Sequence, residues 1–271
     1  MMTRIVTGAL LLVILLSALH FGGWVFSVLW IAALCLAMYE LYHAFAQAGH
    51  RPVTWPSWAC LIVSIPSFML MQQTESLFLL VVTFCITFLA VAGIVMFRRE
   101  PRLEDLLISL MPVTYIVIPG LSMLGILRVD PELKQQMLMA CVFLIPILGD
   151  AGAYFIGVRF GKTKLIPAVS PKKTVEGAAG GLLFSTLGAL GVYAAGSMAS
   201  AALPPVWHFI LLGLAGGIVG QLGDLFASLI KRHCQVKDFG KIFPGHGGMM
   251  DRLDSILFVA VLVYLYQAVW R

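Results

Sequence analysis

The chain has 271 residues and a mass of 29.5 kDa, with 60% apolar residues, 11% charged residues and a mean hydropathy of +0.96. A soluble domain carries about 25% charged and about 45–50% apolar residues, so this chain has too few charges to coat a water-exposed surface. That excludes a soluble globular domain, a disordered chain and a coiled coil, and predicts an all-α polytopic membrane protein. The net charge of +5 does not indicate nucleic acid, because the basic residues sit in short loops between apolar runs.

A bilayer core takes about 20 apolar residues per helix, with a range of about 17–25. In chain order the candidate spans are 4–20, 23–46, 57–72, 77–97, 105–127, 135–159, 175–199, 206–231 and 251–270, about nine in all. A lone Arg4 before the first run mimics a signal peptide. No soluble domain follows it, so the run is expected to stay as an uncleaved span. Trp24, Trp55, Trp58, Trp207 and Trp270 fall near span ends, where interfacial anchors belong. The five cysteines form no CxxC pair and imply neither a disulfide framework nor a zinc site. Residues 1–130 are expected to be scaffold helices, and residues 131–271 to carry the functional site, within one continuous membrane domain.

Lys and Arg in short loops set orientation. Of the 18 basic residues, all but Arg128, Lys134 and Arg271 fall on the side of the N-terminus and the even-numbered loops. That side is expected to be cytoplasmic, which for nine spans puts the C-terminus outside.

The charged residues of the first 97 positions are only Arg4, Glu40, Arg51 and Glu75. After residue 140 the pattern changes: Asp150, Glu176, Asp224, Asp251 and Asp254 fall within or beside apolar spans. An intramembrane carboxylate costs about 2.5–3.5 kcal/mol on an insertion scale, so such residues mark function. Gln221, Asp224, Ser228 and Lys231 are spaced to share one helix face. Asp224 lies about 10 Å along the axis from Lys231 at about 1.5 Å per residue, below a basic mouth of Lys231 and Arg232. Asp251 and Asp254 are one turn apart at the start of the last span. If the segment 233–250 returns the chain to the same membrane face, Asp224, Asp251 and Asp254 converge on one polar pocket. Converging carboxylates repel unless a proton or a cation separates them. Hard oxygen ligands suit Mg²⁺, which takes one or two carboxylates plus substrate phosphates. The neighbouring Lys231, Arg232, Lys237, Lys241 and Arg252 suit phosphate oxygens. The bland alternative is a set of intramembrane ion pairs, such as Asp224 with Lys231. It leaves the loop Pro244-Gly245-His246-Gly247-Gly248 without a purpose.

A second cluster spans 149–181. Asp150 and Tyr154 share a face of the sixth span. In Ser170-Pro171-Lys172-Lys173-Thr174-Val175-Glu176-Gly177, Ser170 fits a helix N-cap and Pro171 the first helical position. Free N–H groups there, with Lys172 and Lys173, would bind an anion. An ordinary capped helix with topology-setting lysines explains the same spacing equally well. The segment Gly157–Thr163 imitates a P-loop, but it has three residues between its glycines where four are needed, and it follows a span rather than a strand. The pairs Gly177/Gly181, Gly213/Gly217 and Gly216/Gly220 fit close helix packing.

The run from Ser228 to Asp254 resembles the signature of the CDP-diacylglycerol synthases, the phosphatidate cytidylyltransferase family. Its fixed positions are Ser228, Lys231, Arg232, Lys237, Asp238, Gly240, Pro244, His246, Gly247, Gly248, Asp251, Arg252 and Asp254. Ser170 to Gly177 also resembles an upstream motif of that family. Ala151 and Val175 depart from the family, which commonly has Ser or Thr and an aromatic residue there. The resemblance implies the reaction of CTP with phosphatidate to give CDP-diacylglycerol and pyrophosphate, in a bacterial cytoplasmic membrane with the site facing the cytoplasm. Asp224 and Asp251 would hold Mg²⁺, with Asp254, Lys231 and Arg232 completing the catalytic set. Ser170, Lys172, Lys173 and Arg252, with Lys231 and Arg232, would hold the phosphates, Glu176 and Ser228 would also bind substrate, and Lys237, Asp238 and His246 would shape the nucleotide loop. The partners implied are CTP, phosphatidate and the bilayer. The Gly-rich span faces permit a homodimer, and the resemblance suggests one.

Overall fold

The computed structural model describes residues 2–71, 73–199 and 203–270. Arg271 and position 72, at the end of the third expected span, lie outside the described residues. The helices are α1 (Met2–Phe21), α2 (Gly23–Gln47), α3 (Trp55–Leu70), α4 (Gln73–Met96), α5 (Leu103–Pro112), α6 (Ile118–Ile126), α7 (Glu132–Phe160), α8 (Val175–Ala199), α9 (Val206–His233) and α10 (Met250–Tyr266). A π-helical turn, Val113–Val117, joins α5 to α6 into one rod, Leu103–Ile126. Pro119 has no N–H to donate one turn back, and the wider turn before it absorbs the mismatch.

The protein is therefore an all-α polytopic membrane protein. Each expected span coincides with a helix. Among the described residues, six helices are long and apolar enough to cross a membrane by length and composition, while Val6–Phe21 and Trp55–Leu70 are shorter. Acidic residues open several helices, including Glu104 and Asp105 on α5, Glu132 on α7, Glu176 on α8 and Asp251 on α10. There they oppose the positive end of the helix dipole.

One correction concerns the segment before α8. Ser170 and Pro171 do not begin a helix. Ser170–Thr174 is a strand, β2, paired antiparallel with β1 (Lys164–Ile166), and α8 starts at Val175. Pairing with β1 satisfies the backbone that a helix would otherwise have used. The cap is Thr174, whose Oγ1 accepts a hydrogen bond from Gly177 N at 3.1 Å.

The chain forms two compact units. The first joins residues up to Gly125 with His233–Leu253. Its core is the buried face of α2, where Leu34, Ala37, Met38 and Leu41 are inaccessible. Trp30 Nε1 donates to Gly120 O at 2.9 Å and Tyr42 Oη to Ser109 O at 2.8 Å, tying α2 to the α5–α6 rod. The turn between α2 and α3 is braced by the buried Asp105. Its carboxylate accepts Arg51 N at 2.9 Å and pairs with Arg98 at 3.1 Å, and Arg98 also donates to Arg51 O at 2.7 Å.

The second unit holds Ile126–Arg232 and the chain from Asp254 onward. Its helices approach closely through small residues. A Cβ at Gly181 would stand 3.2 Å from Gly149 O on α7, and one at Gly217 would stand 2.9 Å from Ser185 Cβ on α8. On α9, Gly216 faces Ile145, and Gly220 faces Pro146, Ser255 and Val259. The glycine pairs read from the sequence are thus spent on packing inside the chain. At the far end of α10, the Lys134 ammonium caps the carbonyls of Gln267 and Trp270 and lies 5.6 Å from the Trp270 ring centroid.

Candidate active site

Within the second unit, α7, α8, α9 and the β1–β2 hairpin enclose a cavity of about 340 Å³. Its charged lining is Asp150 from α7, Lys172 and Lys173 from β2, and Asp224 from α9. Tyr154 and Val158 give it an apolar, exposed wall. Both lysines reach the cavity from β2, a strand lying beside α8, rather than from the first turn of a helix.

Asp224 and Lys173 form an ion pair, each side chain half-buried at 27% exposure. The bland alternative read from spacing named Lys231 as the partner of Asp224, and here the ion pair is with Lys173. Lys231 instead lies within electrostatic range of the buried Asp254, as do Asp224 and Asp150. Asp150, Asp224 and Asp254 therefore share one neighbourhood of the second unit with the ammonium groups of Lys172, Lys173 and Lys231. Gln221, on the Asp224 face, donates to Ala178 O at 3.0 Å and fixes α9 against α8.

Ser170 and Glu176 do not line the cavity. The Glu176 carboxylate accepts the backbone N–H groups of Lys162 and Thr163 at 3.1–3.2 Å, holding the turn after α7 against the start of α8. Arg232 Nε donates to Val169 O at 3.4 Å, between the end of α9 and the hairpin turn. Ser228 is half-buried on α9. The P-loop imitation is the last turn of α7, up to Phe160, followed by the connecting residues 161–163.

The remaining signature residues belong to the first unit. Phe243-Pro244-Gly245-His246 is a tight turn in which His246 N donates to Phe243 O at 2.8 Å. Proline in its second position and a left-handed glycine in its third, with φ +80° at Gly245, match a type II turn. Asp251 is buried at the start of α10, and its Oδ2 accepts Phe239 N at 2.8 Å and Gly248 N at 3.0 Å. The spacing argument placed Asp251 in the polar pocket with Asp224. The second-unit cavity takes Asp150 and Asp224, and Asp251 closes the loop of its own unit. Lys237, Asp238 and Arg252 are exposed. His246 Nδ1 is buried without a hydrogen-bond partner. Burial pushes the Cys234 thiol beside this loop up to about 11, leaving it protonated and inert at neutral pH.

Sequence reasoning gave Glu40 no role. It is 3% exposed on α2 and accepts Met249 N at 3.1 Å and Met250 N at 2.9 Å. The available signal was its solitude, as a carboxylate near the middle of a long apolar run.

Fold and site together define a polytopic membrane protein whose polar cavity pairs carboxylates with ammonium groups of the kind that bind phosphate. A family model described as the cytidylyltransferase family matches residues 2–270, and the chain belongs to this family, making it a nucleotidyltransferase. It is similar to the phosphatidate cytidylyltransferase of Bacillus subtilis strain 168, with 32% identity over 278 residues, covering 100% of this chain and 98% of the relative. It is likewise similar to the phosphatidate cytidylyltransferase of Staphylococcus aureus strain COL, with 33% identity over 273 residues and 97% of each chain. A third relative of that name, from Staphylococcus epidermidis strain RP62A, is 38% identical over 177 residues, 65% of each chain.

Proposed function

We propose that this protein transfers CMP from CTP to phosphatidate, giving CDP-diacylglycerol and pyrophosphate for phospholipid synthesis. The observation that carries the proposal is the second-unit cavity, where Lys172 and Lys173 face Asp150 and Asp224 beside an apolar wall. A polyanionic nucleotide and a lipid phosphate need that mixture of charges, and acyl chains need that wall.

A phosphate oxygen of phosphatidate bonds to the α-phosphorus of CTP, and the bond from that phosphorus to the bridging oxygen breaks. Pyrophosphate leaves with the electron pair. The attacking group is already an anion, so no strong base is required. The difficulty is bringing two polyanions together, and positioning with charge stabilisation is the remedy. Lys172 and Lys173 bind phosphate oxygens. The Lys173 ammonium, which balances Asp224, has phosphate as an alternative partner. Lys231, Arg232 and Arg252 hold further phosphate oxygens, with Ser170 and Ser228 as neutral donors. Lys237, Asp238 and His246 shape the nucleotide loop.

Mg²⁺ belongs to the proposal. Among the described residues, no group of three His, Cys, Asp or Glu side chains forms a ready-made metal cage. Mg²⁺ does not need one, because it takes one or two carboxylates and fills its octahedron with water and substrate phosphate. Asp150, Asp224 and Asp254, with their mutual repulsion, supply the right donor chemistry. Asp224 and Asp251 are each proposed as a carboxylate ligand, with Asp254 assisting. When bound, Mg²⁺ would neutralise charge on the leaving pyrophosphate.

The positive-inside pattern supports a bacterial inner membrane with the site on the cytoplasmic side. A homodimer rests on the family resemblance alone, since the glycines first considered for it pack within the chain.

The reaction is tested by where label goes. With CTP labelled at the α-phosphate, the label should move into lipid; with CTP labelled at the γ-phosphate, it should appear in pyrophosphate. Label from the γ-position entering lipid would make the protein a kinase instead.

A further inference from the structure

Two glycines of the signature loop, Gly240 and Gly248, have no backbone torsion that demands glycine, since neither has a positive φ. One side chain accounts for both. A Cβ on either residue would run into the carboxylate of Glu40. Glu40 belongs to α2, 209 residues before Met249 in the chain, yet both belong to the first compact unit.

Glu40 spends both oxygens on this loop: Oε1 accepts Met249 N and Oε2 accepts Met250 N. These amides lie at the start of α10, where backbone donors have no partner inside the helix and a negative charge is favoured. Asp251 accepts Phe239 N and Gly248 N from the same loop. Two carboxylates thus bracket Gly248, one from α2 and one from α10. A buried carboxylate in an apolar helix is costly, and here the cost is offset only while the loop stays closed upon it.

We propose that Glu40 is a positioning residue for cytidylyl transfer, a clasp that holds the two ends of the 240–250 segment together and fixes the orientation of Asp251. The first helices are then part of the catalytic apparatus rather than scaffold alone. The kinetic part of this inference rests on the function proposed above; the structural part does not.

The test uses the full-length protein in detergent, with Glu40→Ala, Glu40→Gln, Gly248→Ala and the double variant Glu40→Ala/Gly248→Ala. The first readout needs no activity: tryptic cleavage after the exposed Lys237 and Lys241, followed by fragment mass. Glu40→Ala should be cut about tenfold faster than the parent, since loop opening becomes easier. Glu40→Gln, which keeps one acceptor oxygen, should lie between the two.

The second readout is CDP-lipid formation. In Glu40→Ala, kcat per folded molecule should fall at least about tenfold while KM for phosphatidate holds, with partial recovery in Glu40→Gln. A merely structural role would lower the folded fraction and leave kcat per folded molecule unchanged. Gly248→Ala alone should behave like Glu40→Ala, and the double variant should be no worse than either, because removing the carboxylate makes room for the new methyl group. Parental cleavage and kcat in Glu40→Ala, or losses that add in the double variant, would overturn the clasp. If the parent protein makes no CDP-lipid, the functional reading fails, and the cleavage rates still decide whether Glu40 closes the loop.

Discussion

Asp224 and Asp251 have opposite surroundings. Asp224 faces the ammonium of Lys173 in a cavity, whereas Asp251 is held by two backbone N–H groups. Asp251→Asn removes the charge and keeps the shape. Turnover should fall on the order of a hundredfold or more, as it does when a charge-stabilising group is lost, with membrane insertion retained. Parental rates would remove Asp251 from the site. Lys173→Ala should act differently, removing a charge-assisted contact to phosphate and raising KM for CTP about tenfold, or about 1.4 kcal/mol. Substrate titrations of the variant give the answer. The carboxylates were legible in the sequence because charge is so scarce in an apolar chain. Their partners were not. Helical spacing offered Lys231 only as an alternative partner for Asp224, and only tertiary structure could bring Lys173 from 51 positions away in the numbering. Glu40 was visible for the same reason as the aspartates, but no local pattern linked it to a loop more than 200 residues away.

Elements were easier to read where apolar runs were long. Every expected span overlaps a helix among the described residues, because a bilayer demands internally satisfied backbone and apolar length announces it. The segment from Lys164 to Thr174 was harder. Ser-Pro before a Gly-rich run carries the signs of a helix start, and the strand pairing that overrides them depends on residues on the far side of a turn. The true cap, Thr174, should be measurable. Thr174→Ala would leave Gly177 N without its acceptor, and should cost about 1 kcal/mol of stability, read as a lower melting temperature in detergent. An unchanged melting temperature would show that Thr174 is not the cap that matters. Close packing gives a second expectation at this scale. Gly181→Leu would drive a branched side chain into α7, where even a Cβ stands 3.2 Å from Gly149 O. The variant should lose folded yield and melt earlier, and a parental melting curve would refute the contact.

At the scale of the whole molecule, the signature is divided between two compact units, with Ser228, Lys231, Arg232 and Asp254 in one and Lys237 to Arg252 in the other. The expectation was a partition by role within one continuous membrane domain, with scaffold before residue 130 and chemistry after it, whereas the compact units are a partition by packing. The segment His233–Leu253 instead clusters with the N-terminal helices, which hydropathy cannot reveal because it ranks segments without pairing them. The proposed Mg²⁺ dependence is tested on the whole protein. Activity should vanish on chelation and return when Mg²⁺ is restored, while turnover persisting in chelator would contradict the proposed metal role. The most direct test is a reconstitution of the purified protein in detergent with CTP, Mg²⁺ and phosphatidate, following pyrophosphate and CDP-diacylglycerol together. Equimolar formation of both products, only when all three components are present and lost in Asp224→Asn, is the expected result. A folded protein that yields neither product from phosphatidate would contradict the proposed reaction.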